Sequence, residues 1–239
     1  MLLLSLAMFC IPARTEAAPS SFSDNFNRAN TASPDGGLGS DWSVTGSIFL
    51  NSNVAKTQTN AVSYALYDGV SLSDTFTVSV DLYSQSAGRY GGVIFNYADA
   101  SNYYVFRASF DGTNSTVWQF LKVVGGTQTV VSAGTITAGD MPLTTWRTLT
   151  VSSTPTAGTY TYALTNQGGD STIASGSVVD TSLAVSGEAG FYFSGSFIWA
   201  DNFALQTTSP IPEPSAVAFL VGMAALGVSV WAKRRAGKE

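Results

Sequence analysis

With no histidine and a single cysteine, Cys10, this chain must do any chemistry with carboxylates, amides, aromatic rings and a few cations. That inventory excludes a Ser-His-Asp arrangement, disulfides and Cys/His zinc sites. Two tripeptides echo each other, Asp24-Asn25-Phe26 and Asp201-Asn202-Phe203. If their strands are neighbours, Asp24 and Asp201 supply part of the shell of about six to eight oxygens that a structural calcium takes. Alternatively, both carboxylates accept hydrogen bonds from the backbone or from Arg28, and no cofactor is needed. No D-x-D-x-D-G loop accompanies them.

A second constellation joins aromatic rings to cations. Tyr103, Val105 and Arg107 alternate with Tyr104, Phe106 and Ala108, so a strand here shows a tyrosine and an arginine on one face. Such a pair suits a saccharide, whose C–H faces stack on rings while planar polar groups fix its hydroxyls. In the next segment Thr116, Trp118, Phe120 and Lys122 share a face. Pairing of the two strands is expected to bring Trp118 beside Arg107, with Arg89 and Tyr90 edging the neighbouring strand. The candidate ligand-binding residues are therefore Arg89, Tyr103, Arg107 and Trp118. The alternative makes Tyr103 and Trp118 packing residues and Arg107 a solvated cross-strand partner.

Retaining glycoside hydrolysis needs two carboxyl groups about 5 to 5.5 Å apart, one with a raised pKa. Glu188 is the sole glutamate between Ser20 and Thr208, and it lies in a glycine-flanked turn, Gly187-Glu188-Ala189-Gly190. A non-catalytic domain is the expectation, with a glycan-active hydrolase as the alternative from another class. Between Ser20 and Thr208 the chain carries 13 acidic and 6 basic residues, a net charge of −7. Nucleic acid is thereby excluded as a partner, since its phosphates need clustered Lys and Arg.

The elements that must position these residues are strands. Phe76 to Leu82 alternates strictly, with Phe76, Val78, Val80 and Leu82 on one face. Similar segments are expected near 44–56, 61–67, 91–97, 103–110, 116–124, 127–136, 146–153, 159–165, 172–179, 189–194 and 198–206. Turns such as Asp111-Gly112 and Gly125-Gly126 separate them. Trp42, Trp146 and Trp199, which begin strands among apolar neighbours, are expected in the core. A dozen antiparallel strands at this spacing predict an all-β fold, a jelly-roll β-sandwich.

Three stretches resemble the concanavalin A-like lectin/glucanase superfamily: Phe22 to Trp42, the segment G-G-V-I-F-N-Y-A-D-A-S-N-Y-Y-V-F-R, and G-E-A-G-F-Y-F with W-A-D-N-F-A-L. The resemblance implies that the first and last strands pair, bringing Asp24 near Asp201. The E-x-D-x-x-E strand of laminarinase-like members is missing from this chain.

The two ends carry export signals. Residues 1–17 are expected to be a signal peptide, apolar from 2 to 13 and ending in small residues that signal peptidase accepts. After the domain at 18–208, residues 209–239 hold Pro212, Glu213 and Pro214, an apolar stretch 216–232 and a basic tail 233–239 that opens with Lys233, Arg234 and Arg235. As a helix the apolar stretch spans roughly 26 Å, enough for one C-terminal transmembrane helix with its cations on the cytoplasmic side. This tripartite tail resembles the PEP-CTERM sorting signal of Gram-negative bacteria that secrete exopolysaccharide. The resemblance implies a transient inner-membrane intermediate, processing by an exosortase, and release to the cell surface or extracellular matrix. There the domain is expected to bind polysaccharide, or to act as a structural or adhesive protein with no saccharide site.

Overall fold

The computed structural model describes residues 19–31, 37–72 and 75–208. The expected signal peptide, the Pro212–Pro214 motif, the stretch expected to form a transmembrane helix, and Lys233, Arg234 and Arg235 lie outside the described residues. Among those described, no helix is long and apolar enough to cross a membrane.

The described residues form two sheets in which every strand pair is antiparallel. One runs β10 (Thr127–Ile136), β9 (Thr116–Val124), β8 (Asn102–Phe110), β7 (Arg89–Asp99), β14 (Glu188–Ser194), β5 (Val62–Tyr67) and β2 (Trp42–Thr45). The other runs β13 (Thr172–Val179), β12 (Thr159–Asn166), β11 (Arg147–Ser153), β6 (Thr75–Ser84), β15 (Ile198–Thr208), β4 (Val54–Lys56) and β3 (Phe49–Asn51), and β1 (Pro19–Asp24) also pairs with β15. The first strand therefore lies on the last, with Asp24 opposite Phe203, as the echoed tripeptides suggest.

Period-two alternation explains why these segments are strands and which face each buries. Phe76, Val78, Val80 and Leu82 all enter the main core, where they meet Val93, Phe95, Phe106 and Phe120 from the facing sheet. Gly125 and Gly126, both at positive φ, turn β9 directly into β10, the two-residue connection that matches the twist of a hairpin.

Two expectations need correction. The segment 44–56 is not one strand. After β2 the chain leaves the seven-stranded sheet at Gly46 (φ +83°), where a Cβ would strike Ser63, and returns as the β3–β4 hairpin of the other sheet. Trp42 is core, but Trp146 and Trp199 are not. Trp199 pairs with Tyr83 and Lys56 on the outer face of the eight-stranded sheet, and the Trp146 ring lies 5.2 Å from the Tyr83 ring. Alternation assigns a ring to a face; it does not say which face is covered.

Candidate functional site

The outer face of the seven-stranded sheet departs from the usual polar solvent side. Ile94, Val105 and Leu121 are buried there in a second cluster with Tyr64, Leu66 and Tyr192, onto which Tyr97 and Tyr103 pack. Tyr97 stacks on Tyr103 at 5.8 Å and 28°, and Tyr64 lies 5.5 Å from Tyr97 and 6.3 Å from Tyr103. The hydroxyls of Tyr64 and Tyr97 are 3.2 Å apart. Burial, then the bond to Tyr64, pushes the Tyr97 phenol above its ordinary value, and burial does the same to Tyr103. Both remain neutral hydrogen-bonding groups at physiological pH.

Tyr97 owes its place to a β-bulge. The β7–β8 register shifts between Phe95 and Asp99, and Asn96 adopts φ 48°. Asn96 then points inward and donates to the Tyr160 hydroxyl at 2.8 Å, and Tyr97 emerges on the outer side.

Arg107 sits two strand positions from Val105 on the same face. Its Nε and Nη2 donate to Gln119 Oε1 at 3.0 and 2.8 Å, and Nη1 reaches the Tyr192 hydroxyl at 3.5 Å. The guanidinium lies 4.3 Å from the centre of the Tyr90 ring. Gly92, opposite Arg107, leaves the strand no room for a side chain, because a Cβ there would meet the Phe106 carbonyl and Arg107 Cβ. A guanidinium has five N–H donors; with three engaged, two remain to meet a ligand. Lys122 of the same sheet is engaged elsewhere, in a 2.7 Å salt bridge to Asp180 on the inner side.

The four candidate ligand residues thus divide. Tyr103 and Arg107 share the face. Trp118 does not: it pairs with Ala108 and Gly134, packs 4.7 Å from the Tyr162 ring, and belongs to the core side. Arg107 pairs with Gln119, one residue on, and in a strand one residue is the difference between faces. Arg89 pairs with Phe110, two residues from inward-facing Gly91, and its stem covers Gly195 on the core side. Tyr90, its neighbour, is the residue of that pair on the outer face. Tyr64, Gln119 and Tyr192 were not singled out by the sequence, because β5 and β14 are apolar runs buried on both faces and give no alternation to separate the outer side from the core.

Asp24 and Asp201 also part. Asp24 Oδ1 accepts from the Phe26 amide and Arg28 Nη1, both at 2.7 Å, while Oδ2 accepts from Arg28 Nη2 and Trp42 Nε1, both at 2.8 Å. Burial alone would raise this carboxyl, but Arg28, the Phe26 amide and the Trp42 indole together hold it below its ordinary value. Four donors meet its two oxygens, the arrangement of the hydrogen-bonding alternative. Asp201 faces Asp81 across β15 and β6, and among the described residues no three acidic, histidine or cysteine side chains group around a cation.

Solved structures with this fold include carbohydrate-binding proteins. The carbohydrate-binding module CBM66 from Bacillus subtilis is similar with a TM-score of 0.50 and 16% identity, over 70% of this chain and 92% of its own. The CBM2 module of the evolved Dit of Lactobacillus casei BL23 phage J-1 has a TM-score of 0.56 and 8% identity, over 80% and 97%. A lectin from Bauhinia forficata in complex with GalNAc has a TM-score of 0.54 and 14% identity, over 81% and 100%. No family model and no curated protein matches the sequence. At such identities the likeness concerns the fold, and the domain is an all-β sandwich of two antiparallel sheets of the lectin, jelly-roll type.

Proposed function

We propose that this domain binds polysaccharide without cleaving it, through the outer face of its seven-stranded sheet, and that the chain is exported to the cell surface or extracellular matrix. The binding reading is carried by Arg107, fixed by Gln119 and Tyr90 with donors to spare, next to the Tyr64, Tyr97 and Tyr103 rings. Rings for C–H faces beside a fixed fork for hydroxyls are what a sugar requires. The carbohydrate-binding modules and lectin of the same fold favour it. The non-catalytic reading rests on the sequence, which lacks the E-x-D-x-x-E strand of laminarinase-like glucanases; Glu188, opposite Tyr97, is raised by burial and then by the charge of Asp68.

A glycan array with the full chain and its Arg107→Ala variant tests the binding. At least one polysaccharide should be retained by the unaltered chain and held about tenfold more weakly by the variant. An array without a single binder overturns the reading and leaves the structural or adhesive alternative; new reducing ends on any retained glycan overturn the non-catalytic part. Export rests on the apolar leader and on Pro212, Glu213, Pro214, the apolar stretch and Lys233, Arg234 and Arg235. Signal peptidase and an exosortase are the partners this implies. Glu213→Ala and Pro214→Ala should hold the protein in the inner-membrane fraction, and unchanged release of both variants overturns the sorting.

A further inference from the structure

The outer face of the eight-stranded sheet is built mostly from threonine and serine, as in Thr75, Thr77 and Ser79 of β6 and Thr148, Thr150 and Ser152 of β11, but one end of it is different. There Trp199 stacks on Tyr83 at 4.5 Å and 16°, Lys56 Nζ lies 4.1 Å from the Trp199 ring, and Trp146 continues the row. Beside the row opens a depression of about 510 Å³, within the range of small-ligand sites. Trp199, Lys56, Asp201 and Asn202 line it from the sheet, Trp146 from just before β11, and Asn25, Asn27 and Asn53 from the surrounding turns.

Its walls are strained and held. Among the described residues seven non-glycines have positive φ, and four of them, Phe26, Ser52, Asn53 and Asn202, sit in or directly behind this wall. Each such conformation costs on the order of 1 kcal/mol or more and persists where neighbours over-determine it, a condition that favours functional sites. The neighbours are visible. Asn25 Oδ1 accepts the Asn27 amide at 3.1 Å, Asn30 Oδ1 accepts the Ser52 amide at 2.9 Å, and Asp201 Oδ1 accepts the Asn202 amide at 2.8 Å. Asn202 Nδ2 in turn donates to Asp81 Oδ2 at 3.0 Å.

The lining also selects a chemistry. Four side-chain amides each offer donors and an acceptor, and beyond the bonds of Asn25 Oδ1 and Asn202 Nδ2 an apolar ligand would leave their other polar atoms without partners. One cation and one carboxylate give no net attraction for a charged ligand, and a phosphate or uronate would face Asp201, with the charge of Asp81 close behind it. Burial, and then the charges of Asp81 and Asp24, push the Asp201 carboxyl up, against the pull of the Asn202 amide, in keeping with a site that disfavours further negative charge. A neutral, polyhydroxylated ring, edged by indole and read by amides, satisfies all of these groups. We propose that this depression is a second saccharide site, taking a neutral sugar residue of a polysaccharide on the sheet opposite Arg107. Because the two sites lie on opposite outer faces of the sandwich, one sugar residue cannot fill both, and the domain can hold two polysaccharide chains at once.

The inference needs neutral saccharide as ligand but does not need the Arg107 face to bind. Affinity electrophoresis of the full chain through gels containing hydroxyethyl cellulose, guar galactomannan or dextran, with alginate as the uronate control, tests it. Arg107→Ala should leave residual retardation in at least one neutral gel. Adding Asn27→Ala, an exposed amide whose loss spares the fold, or Trp146→Ala should reduce that residual binding at least tenfold. The same neutral polysaccharide should shift the tryptophan emission of the Arg107→Ala chain, a change that tyrosines of the other face cannot supply. Retardation abolished by Arg107→Ala and untouched by Asn27→Ala and Trp146→Ala overturns the second site alone. Retardation untouched by Arg107→Ala and lost in Trp146→Ala and Asn27→Ala upholds it and overturns the first. No retardation in any neutral gel overturns both, and preferential retardation by alginate overturns the neutral class proposed here.

Discussion

The two outer faces of this sandwich are made by the same alternation and differ in what they present. On the seven-stranded sheet, tyrosines and buried aliphatics occupy the positions that point away from the core, and Arg107 is locked among them by side chains of two neighbouring strands. On the eight-stranded sheet those positions hold hydroxyls over most of their extent, with rings only where turns of strained backbone meet the sheet. A face of Thr and Ser is what a solvated strand shows when nothing else is asked of it. Fold stability explains the hydroxyl face without any ligand. It does not explain a half-buried arginine pinned in one orientation on the outer face, because ordering a long side chain there costs entropy without adding to the core.

The largest expected effect separates the inside of the seven-stranded sheet from its outside. Trp118 packs on Phe106 and Tyr162 and covers Gly134. Trp118→Ala should destabilise the domain by about 3 to 5 kcal/mol through the cavity it leaves, read as a denaturant midpoint, while the folded fraction keeps its polysaccharide affinity. If Trp118→Ala instead left the midpoint in place and removed binding, the assignment of inner and outer faces would be reversed.

Next comes the tie between the sheets. Asp180, just past β13, accepts from Tyr104 at 2.7 Å and Lys122 at 2.7 Å, both from the seven-stranded sheet. Burial would raise this carboxyl, but the bonds from Lys122, Ser182 and Tyr104 hold it far below the usual carboxylate range. A carboxyl depressed in the folded state adds stability that is fully present above about pH 4, its unfolded value, and is lost as pH falls toward the folded one. Asp180→Asn should cost about 1.5 to 3 kcal/mol at pH 7, the scale of charge-assisted bonds. The variant and unaltered midpoints should converge between pH 4 and pH 2. A constant difference across that range would remove charge from the explanation.

Much of this architecture could be read from alternation. The face Phe76, Val78, Val80, Leu82 is buried as its period requires, and the Asp24 and Asp201 tripeptides do sit on paired strands. What alternation could not supply was the partner in register. Arg107 and Trp118 each obey period two within their strand, yet pairing Arg107 with Gln119 sends Trp118 to the opposite side. A single inserted residue at Asn96 likewise moved Tyr97 onto the site, where uninterrupted alternation places it inside. Trp146 and Trp199 are expected in the core from their apolar neighbours at strand starts; the strand pattern there is equally consistent with either side being covered.

Arg107→Ala carries a smaller effect on a different observable. Its guanidinium lies on the outer face, so the denaturant midpoint should hardly move, while affinity for a retained polysaccharide falls about tenfold, or about 1.4 kcal/mol. Arg107→Lys should not restore it. A lysine cannot make the paired contacts that Nε and Nη2 make with Gln119 Oε1, nor lie flat on the Tyr90 ring. Full rescue by lysine would mean that the face attracts its ligand by charge alone.

The smallest effect is expected on the plain part of the eight-stranded face, and it is the control on which the contrast depends. Thr161 on β12 is exposed and pairs with Ser152 and Ser177, among residues whose outward side chains are hydroxyls. Thr161→Val keeps the β-branched shape that a strand favours and removes only a hydroxyl to water. Stability should stay within about 0.5 kcal/mol, and retardation by every polysaccharide should match the unaltered chain. Suppose instead that Thr161→Val weakened binding as much as Arg107→Ala. The hydroxyl face itself would then be contacting polysaccharide over a broad area, and the fixed arginine and the strained depression would lose their claim to be where the sugar is read.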